Sequence, residues 1–355
     1  MIDKQYVESR KIQFSGRSSY VLALPKKWVE EMGLRQGDQV ILQKQNNTTL
    51  NIIVEGTHLK RNQEEVTLIE SVKQPVGSIR RKLISLYLLG YNIIHIRSKE
   101  GRLSLAHRES IKEVVRRNLI GTEILFDSSQ ETTIQVLLGF PELSVENALR
   151  RMFTISTSMH KDALLALLKH DREIAQGVIK SDDEVDRFGL YTIRQLKMAV
   201  SSDLILDRIG LNSPRDCLGY RLIVKSVERV ADHACRIAET TISSKNLTHP
   251  EILKKIAELS DYAISVFEDA CKSLFKRDYH SADIVVEKAD QINSLEKEII
   301  EKIEAIPKLK EMQAYRLIID AIKRTSEYAS DIAEIVLNLN AEKLILNEVN
   351  NSDKA

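Results

Sequence analysis

The chain has 355 residues, 43% of them hydrophobic and 29% charged, a balance that suits folded globular units and excludes a largely disordered polypeptide. Such a length accommodates two or three domains, and a scarcity of aromatics (5%) favours helical packing by Leu, Ile, Val and Ala over a β-sandwich. The net charge of +1 is unevenly spread: 21 Lys and Arg face 15 Asp and Glu over residues 1–140 (+6), and 31 face 36 over residues 141–355 (−5). A basic front half suits a polyanion and an acidic back half suits cations.

Three cysteines, Cys217, Cys235 and Cys271, form no CxxC pair, so neither a disulfide frame nor a cysteine zinc site is expected. The front lacks a charged-then-apolar leader pattern, and the most apolar stretch, Leu83 to Ile96, is too short and too polar to span a bilayer. The expected location is cytoplasmic.

Residues 1–56 are strand-rich. RKIQF and SYVLAL read as strands, PKKWVEEMG as a short helix opened by Pro25 and stopped by Gly33, and VILQKQ and TTLNIIV as a hairpin, giving the order ββαββ. Elements this short bury little apolar surface alone, so pairing of two chains is expected. Residues 57–140 alternate strands and helices as a small α/β middle unit, without a phosphate loop, GxGxxG or catalytic grouping. Arg80, Arg81 and Lys82 form a basic run there, read as a solvated helix face.

From residue 141 the pattern is helical. YRLIVKSVERVADHACRIAE (220–239) recurs as YRLIIDAIKRTSEYASDIAE (315–334), with nine of twenty positions identical. The offset of 95 residues divides the rest into three-helix repeats at 141–247 and 248–342 and a loose tail at 343–355. Helices are expected over 144–169, 171–201, 216–244, 250–276, 279–305 and 309–340. The fold class is therefore multidomain and mostly α, with a small ββαββ domain, an α/β middle unit and a tandem pair of three-helix bundles.

The segment RKIQFSGRSSYVLALPKKWVEEMGLRQGDQVIL resembles the AbrB/SpoVT-type swapped-hairpin DNA-binding domain. That resemblance implies dimerisation by interleaved hairpins and DNA contact through Arg10, Lys11 and Arg17. Lys26 and Lys27 add charge beside Pro25, where Val29 and Glu30 replace the arginine pair frequent in DNA-binding members. SVERVADHACRIAE and IKSDDEVDRFGLYTI resemble the third- and second-helix motifs of the PhoU family of phosphate-uptake regulators. The two together resemble the archaeal type of PhoU-related regulator.

The PhoU resemblance implies a metal motif, a D/E-x-x-x-D carboxylate pair on each of two facing helices, here Asp182 and Asp186 with Glu228 and Asp232. Spacing of four sets each pair on one helix face, and hard cations such as Mg, Mn or Fe, with Zn also possible, take oxygen ligands. Asp182 falls on the seam Val178, Asp182, Val185, Gly189, Thr192, Leu196, where an unpaired carboxylate is costly. The second repeat has Ala289, Asn293, Lys323 and Glu327 at the aligned positions, and Lys323 is expected to neutralise Glu327. Glu287 and Asp290 are acids that could support a weaker second site. His233, one residue from Asp232, points about 100° away and is expected to pack or be solvated.

The expected function is a non-enzymatic, homodimeric regulator of phosphate uptake, with the front domain on DNA and the bundle as metal-binding sensor. The alternative is an adaptor that does not bind DNA and negatively regulates a phosphate ABC transporter, or its ATPase component, by protein contact.

Overall fold

The computed structural model describes residues 8–16, 19–44, 50–54, 65–137, 143–244 and 247–342. The chain divides into two compact units, Met1–Glu64 and Glu65–Ala355.

In the first unit, β1 (Ile12–Ser15) pairs antiparallel with β2 (Ser19–Leu22), with Ile12 opposite Leu22. Helix α1 (Lys26–Glu31) follows Pro25 and stops at Gly33, whose φ of 69° lies in the left-handed region. A second hairpin pairs β3 (Val40–Lys44) with β4 (Leu50–Val54). Apolar side chains stay in solvent: Ile12, Phe14, Tyr20 and Leu42 are all at least 60% exposed, and α1 buries none of its residues. Isolated two-stranded hairpins are marginal in water.

The second unit opens with β5 (Glu65–Glu70), α2 (Val76–Leu89), β6 (Ile93–Ser98), α3 (Leu105–Arg117), β7 (Thr122–Asp127) and β8 (Glu131–Val136). The sheet order is β5-β6-β8-β7. Strands β5 and β6 are parallel, as the α2 crossover between them demands, and β8 joins antiparallel to both β6 and β7. Ile94, Ile96 and Ile134 form one core with Ile79, Leu83 and Tyr87 of α2 and Ile111, Val114 and Val115 of α3, which puts both helices on one face. The other face is polar: His95 Nδ1 lies 3.1 Å from Glu131 Oε1 and 3.0 Å from Thr133 Oγ1. Lys82 is 2.8 Å from the fully buried Glu70 carboxylate, so one member of the basic run is an internal counter-ion.

The remainder is helical: α4 (Val145–Lys169), α5 (Arg172–Ala199), α6 (Asp203–Arg208), α7 (Asp216–Ser243), α8 (Pro250–Lys276), α9 (Tyr279–Asp290), α10 (Ile292–Ile303) and α11 (Leu309–Asn340). Both repeats make their first turn alike. His170 and Arg277 take left-handed φ values of 53° and 51°, and Asp171 and Asp278 then cap the next helix, accepting from Ile174 N–H (3.1 Å) and Ser281 N–H (3.3 Å). The shared signature is Lys-His-Asp at 169–171 and Lys-Arg-Asp at 276–278.

Two further expectations change. The single helix expected over 279–305 is broken at Gln291, where the Lys288 carbonyl accepts both the Gln291 N–H at 3.1 Å and the Tyr262 hydroxyl at 2.7 Å. The stretch between α5 and α7, expected to be non-helical, contains α6, which forms because Ile205 and Leu206 are buried in the bundle core. That core is continuous through both repeats. Helices α7 and α11 approach closely at Gly219, where a Cβ would lie 3.0 Å from Ile335 Cγ2.

Candidate metal centre and DNA-facing residues

Helices α5 and α7 pack side by side, and their seam is dry: Val178, Val185, Thr192 and Leu196 of α5 are at most 2% exposed, as are Val224, Val227 and Ala231 of α7. Asp182 and Asp186 of α5 and Glu228 of α7 are partly buried beside that seam, and Asp232 stands at its solvent edge, exposed as a residue but with its carboxyl partly desolvated by the neighbouring helix.

The four acids share one electrostatic environment. Burial, with the negative charges of Asp186 and Asp232 next, pushes the Asp182 carboxyl up to about 7. Burial, then Glu228 and Asp232, pushes Asp186 up to about 6. Asp232 is raised by burial and by Glu228. Asp182 Oδ1 is buried without a hydrogen-bond partner. A buried lone carboxylate oxygen facing like charges is what a cation would relieve, and an all-oxygen donor set fits a hard ion. Among the described residues no three Asp, Glu, His or Cys side chains stand ready as ligands, so binding requires the carboxylates to turn toward one another.

Two neighbours escaped the sequence reading. Lys225, three residues before Glu228, is hydrogen-bonded to its Oε1, so one of the four acids already has an internal cation. Cys235, three residues after Asp232, is buried next to Asp182, and burial with that carboxylate raises its thiol. The i,i+3 spacing signals both, once Glu228 and Asp232 are taken as the reference face. His233 stacks on Tyr328 of α11 at 5.7 Å between ring centroids, packed into the contact between repeats.

The second repeat differs in detail from expectation. Lys323 pairs not with Glu327 but with Glu296 of α10, at 2.7 Å, while Glu327 pairs with Arg324 at 2.7 Å. A partner across the helix interface replaces the expected one four residues along because both side chains there are only a quarter exposed (24% and 25%), where charge pairing is stronger. Glu287 and Asp290 are exposed.

In the first unit, Arg10, Lys11, Lys26 and Lys27 are all exposed. Arg10 pairs with Glu8, and Lys26 and Lys27 sit 3.7 and 3.8 Å from Glu30 and Glu31, distances at which exposed pairs contribute little. Arg17 lies outside the described residues.

Residues 149–241 and 256–336 match the PhoU domain family, and residues 13–56 match the family described as antidote-toxin recognition MazE, bacterial antitoxin. The chain is a PhoU-domain protein, mostly helical, with an N-terminal MazE/AbrB-like domain. It is 23% identical over 207 residues to the phosphate-specific transport system accessory protein PhoU homolog of Clostridium acetobutylicum, covering 55% of this chain and 90% of that protein. It is 24% identical over 200 residues to PhoU homolog 1 of Thermotoga maritima, covering 55% and 84%. The crystal structure of the phosphate transport system regulatory protein PhoU from Streptococcus pneumoniae aligns at a TM-score of 0.49 and 18% identity, covering 55% of this chain and 92% of that one.

Proposed function

We propose that this protein is a cytoplasmic, homodimeric regulator of phosphate uptake that binds DNA through its front unit and receives its signal in the helical bundle. The observation that carries this reading is the joining of both PhoU repeats to a MazE/AbrB-like module in one chain. Relatives of the bundle are named as accessory proteins of phosphate-specific transport, and that role is carried to this chain as part of the proposal. The excess of six positive charges over residues 1–140 favours a polyanion partner. The solvent-exposed Ile12, Phe14, Tyr20 and Leu42 supply the apolar surface that a second copy would cover. No helix among the described residues is long and apolar enough to cross a membrane.

In this reading Asp182, Asp186, Glu228 and Asp232 hold a divalent or trivalent ion, whose charge would relieve their repulsion and stiffen the α5–α7 contact. The role is binding and regulation, not turnover.

Anisotropy titration of duplex DNA over a range of salt concentrations tests the DNA arm. Affinity should fall steeply with salt, and Arg10→Ala with Lys11→Ala should reduce the logarithmic slope by about two. Absence of binding even at low salt would remove DNA from the proposal. The adaptor reading, a contact with a phosphate transporter or its ATPase, would then stand, favoured by the names of the bundle's relatives.

A further inference from the structure

The middle α/β unit meets the bundle at a polar cleft. That cleft, about 390 Å³, lies where the end of α3 and the start of β7 face α5, and Arg116, Thr122, Glu123 and Arg187 supply its polar lining. Arg187 follows Asp186 on α5. Neighbouring residues on a helix project about 100° apart, so one helix serves the acidic cluster with one residue and this cleft with the next.

The two arginines are underused. Arg187 Nε is buried with no hydrogen-bond partner, an arrangement that leaves a desolvated cationic donor unsatisfied. Neither Arg116 nor Arg187 forms an ion pair among the described residues, whereas the adjacent Arg117 pairs with Glu113 at 3.3 Å. Glu123, exposed at the rim, is the one carboxylate of the lining and lies beyond 4 Å of either guanidinium. A guanidinium is a fork of donors that matches the oxygens of a phosphate group, and two of them from opposite walls of a cleft match a dianion better than a single carboxylate. The volume exceeds what one tetrahedral oxyanion fills and leaves room for an attached group.

We propose that the cleft between α3, β7 and α5 is a binding site for a phosphate-bearing small anion, held between Arg187 of the bundle and Arg116 of the middle unit. The ligand would join the two layers, which makes the middle unit a sensor acting on the helix that carries Asp182 and Asp186. The site stands apart from the DNA and metal readings and does not depend on either.

Isothermal titration of the full chain at low ionic strength with inorganic phosphate and, separately, with adenosine 5′-monophosphate tests the site. At least one probe should bind, Arg187→Gln should weaken it about tenfold or more, and Arg116→Gln, at an exposed position that cannot disturb the core, should weaken it as well. Glu123→Gln should tighten it by removing the rim charge. Saturation by phosphate alone identifies a free-phosphate source, and binding of the nucleotide alone identifies a phosphorylated metabolite. No binding of either probe, or equal affinity in wild type and both arginine variants with unchanged melting temperatures, would overturn the proposal.

Discussion

Arg194 Nη2 of α5 donates to Asn92 Oδ1 at 2.8 Å and to the Gly90 carbonyl at 3.0 Å, so a guanidinium of the bundle closes the turn between α2 and β6 of the middle unit. Its Nη1 donates to the Tyr87 carbonyl, and its Cζ stands 4.8 Å from the Tyr87 ring centroid. At 3% exposure this is a buried cation whose partners are mainly neutral acceptors at a helix C-terminus, where carbonyls are otherwise orphaned. The two layers of the second unit are therefore coupled by an interaction that neither can make alone.

Arg194→Ala should destabilise the second unit by about 3 kcal/mol, because it strips charged hydrogen bonds from buried carbonyls. Arg194→Lys should recover less than half, since one ammonium cannot reach all three acceptors. Denaturant midpoints give the magnitude. Amide exchange through residues 87–97 should accelerate before the helices of the bundle do, and uniform acceleration throughout would contradict this coupling.

The acidic cluster imposes a pH dependence on the ion-free protein. Asp182 and Asp186 have folded values of about 7 and 6 against 3.8 for an unperturbed Asp, so between these limits the folded state holds more protons than the unfolded state. Their contribution to stability therefore falls as pH rises from about 4 to about 7. His160, kept neutral by burial down to about 4, has the opposite slope between 4 and 6.5. The informative quantity is the difference between variants. Asp182→Asn should melt higher than wild type at pH 8 in chelator, and the gap should close toward pH 4. An Asp182→Asn protein that melts lower at pH 8 would mean that the carboxylate is internally compensated.

Metal should remove that repulsion. Added Mn²⁺ or Mg²⁺ should raise the melting temperature of wild type more at pH 8 than at pH 5, because protons compete for the same oxygens. Elemental analysis should find metal in wild type and little in Asp182→Ala/Glu228→Ala. Equal metal content in the two proteins would place the ion elsewhere.

In the second repeat Lys323 occupies, by alignment with Glu228, the place of an acid, and its ammonium bonds Glu296 at 2.7 Å. Lys323→Ala should cost about 1 kcal/mol, a value limited by the partial exposure of both groups. Urea unfolding measures it, and the added Mn²⁺ response should be unchanged, since the lysine serves the second repeat alone. An altered response would tie the repeats together electrostatically.

Much of this molecule is legible in local pattern. The strands and helices of the first unit, the α/β alternation and the long helices follow from turn residues and apolar periodicity, which are short-range properties of the chain. The carboxylate spacing on α5 and α7 is equally local. By contrast, the break at Gln291 falls where the hydroxyl of Tyr262, 29 residues away, bonds the Gln291 side chain. Lys323 chooses Glu296 over Glu327, and Arg194 meets the carbonyls of residues 87 and 90, through proximity that only packing creates. Arg187 reads in sequence as one more helix charge, and becomes distinctive only in the folded protein, where its Nε is buried without a partner and the residue lines a cleft. Sequence by itself determined the strands and the long helices and which faces carry charge, though not α6 or the break at Gln291, because hydrogen bonding within a helix and the 3.6-residue period act over a few residues. Tertiary structure alone decided which of those charges are desolvated and left without partners, because burial and dielectric environment are properties of the assembled layers.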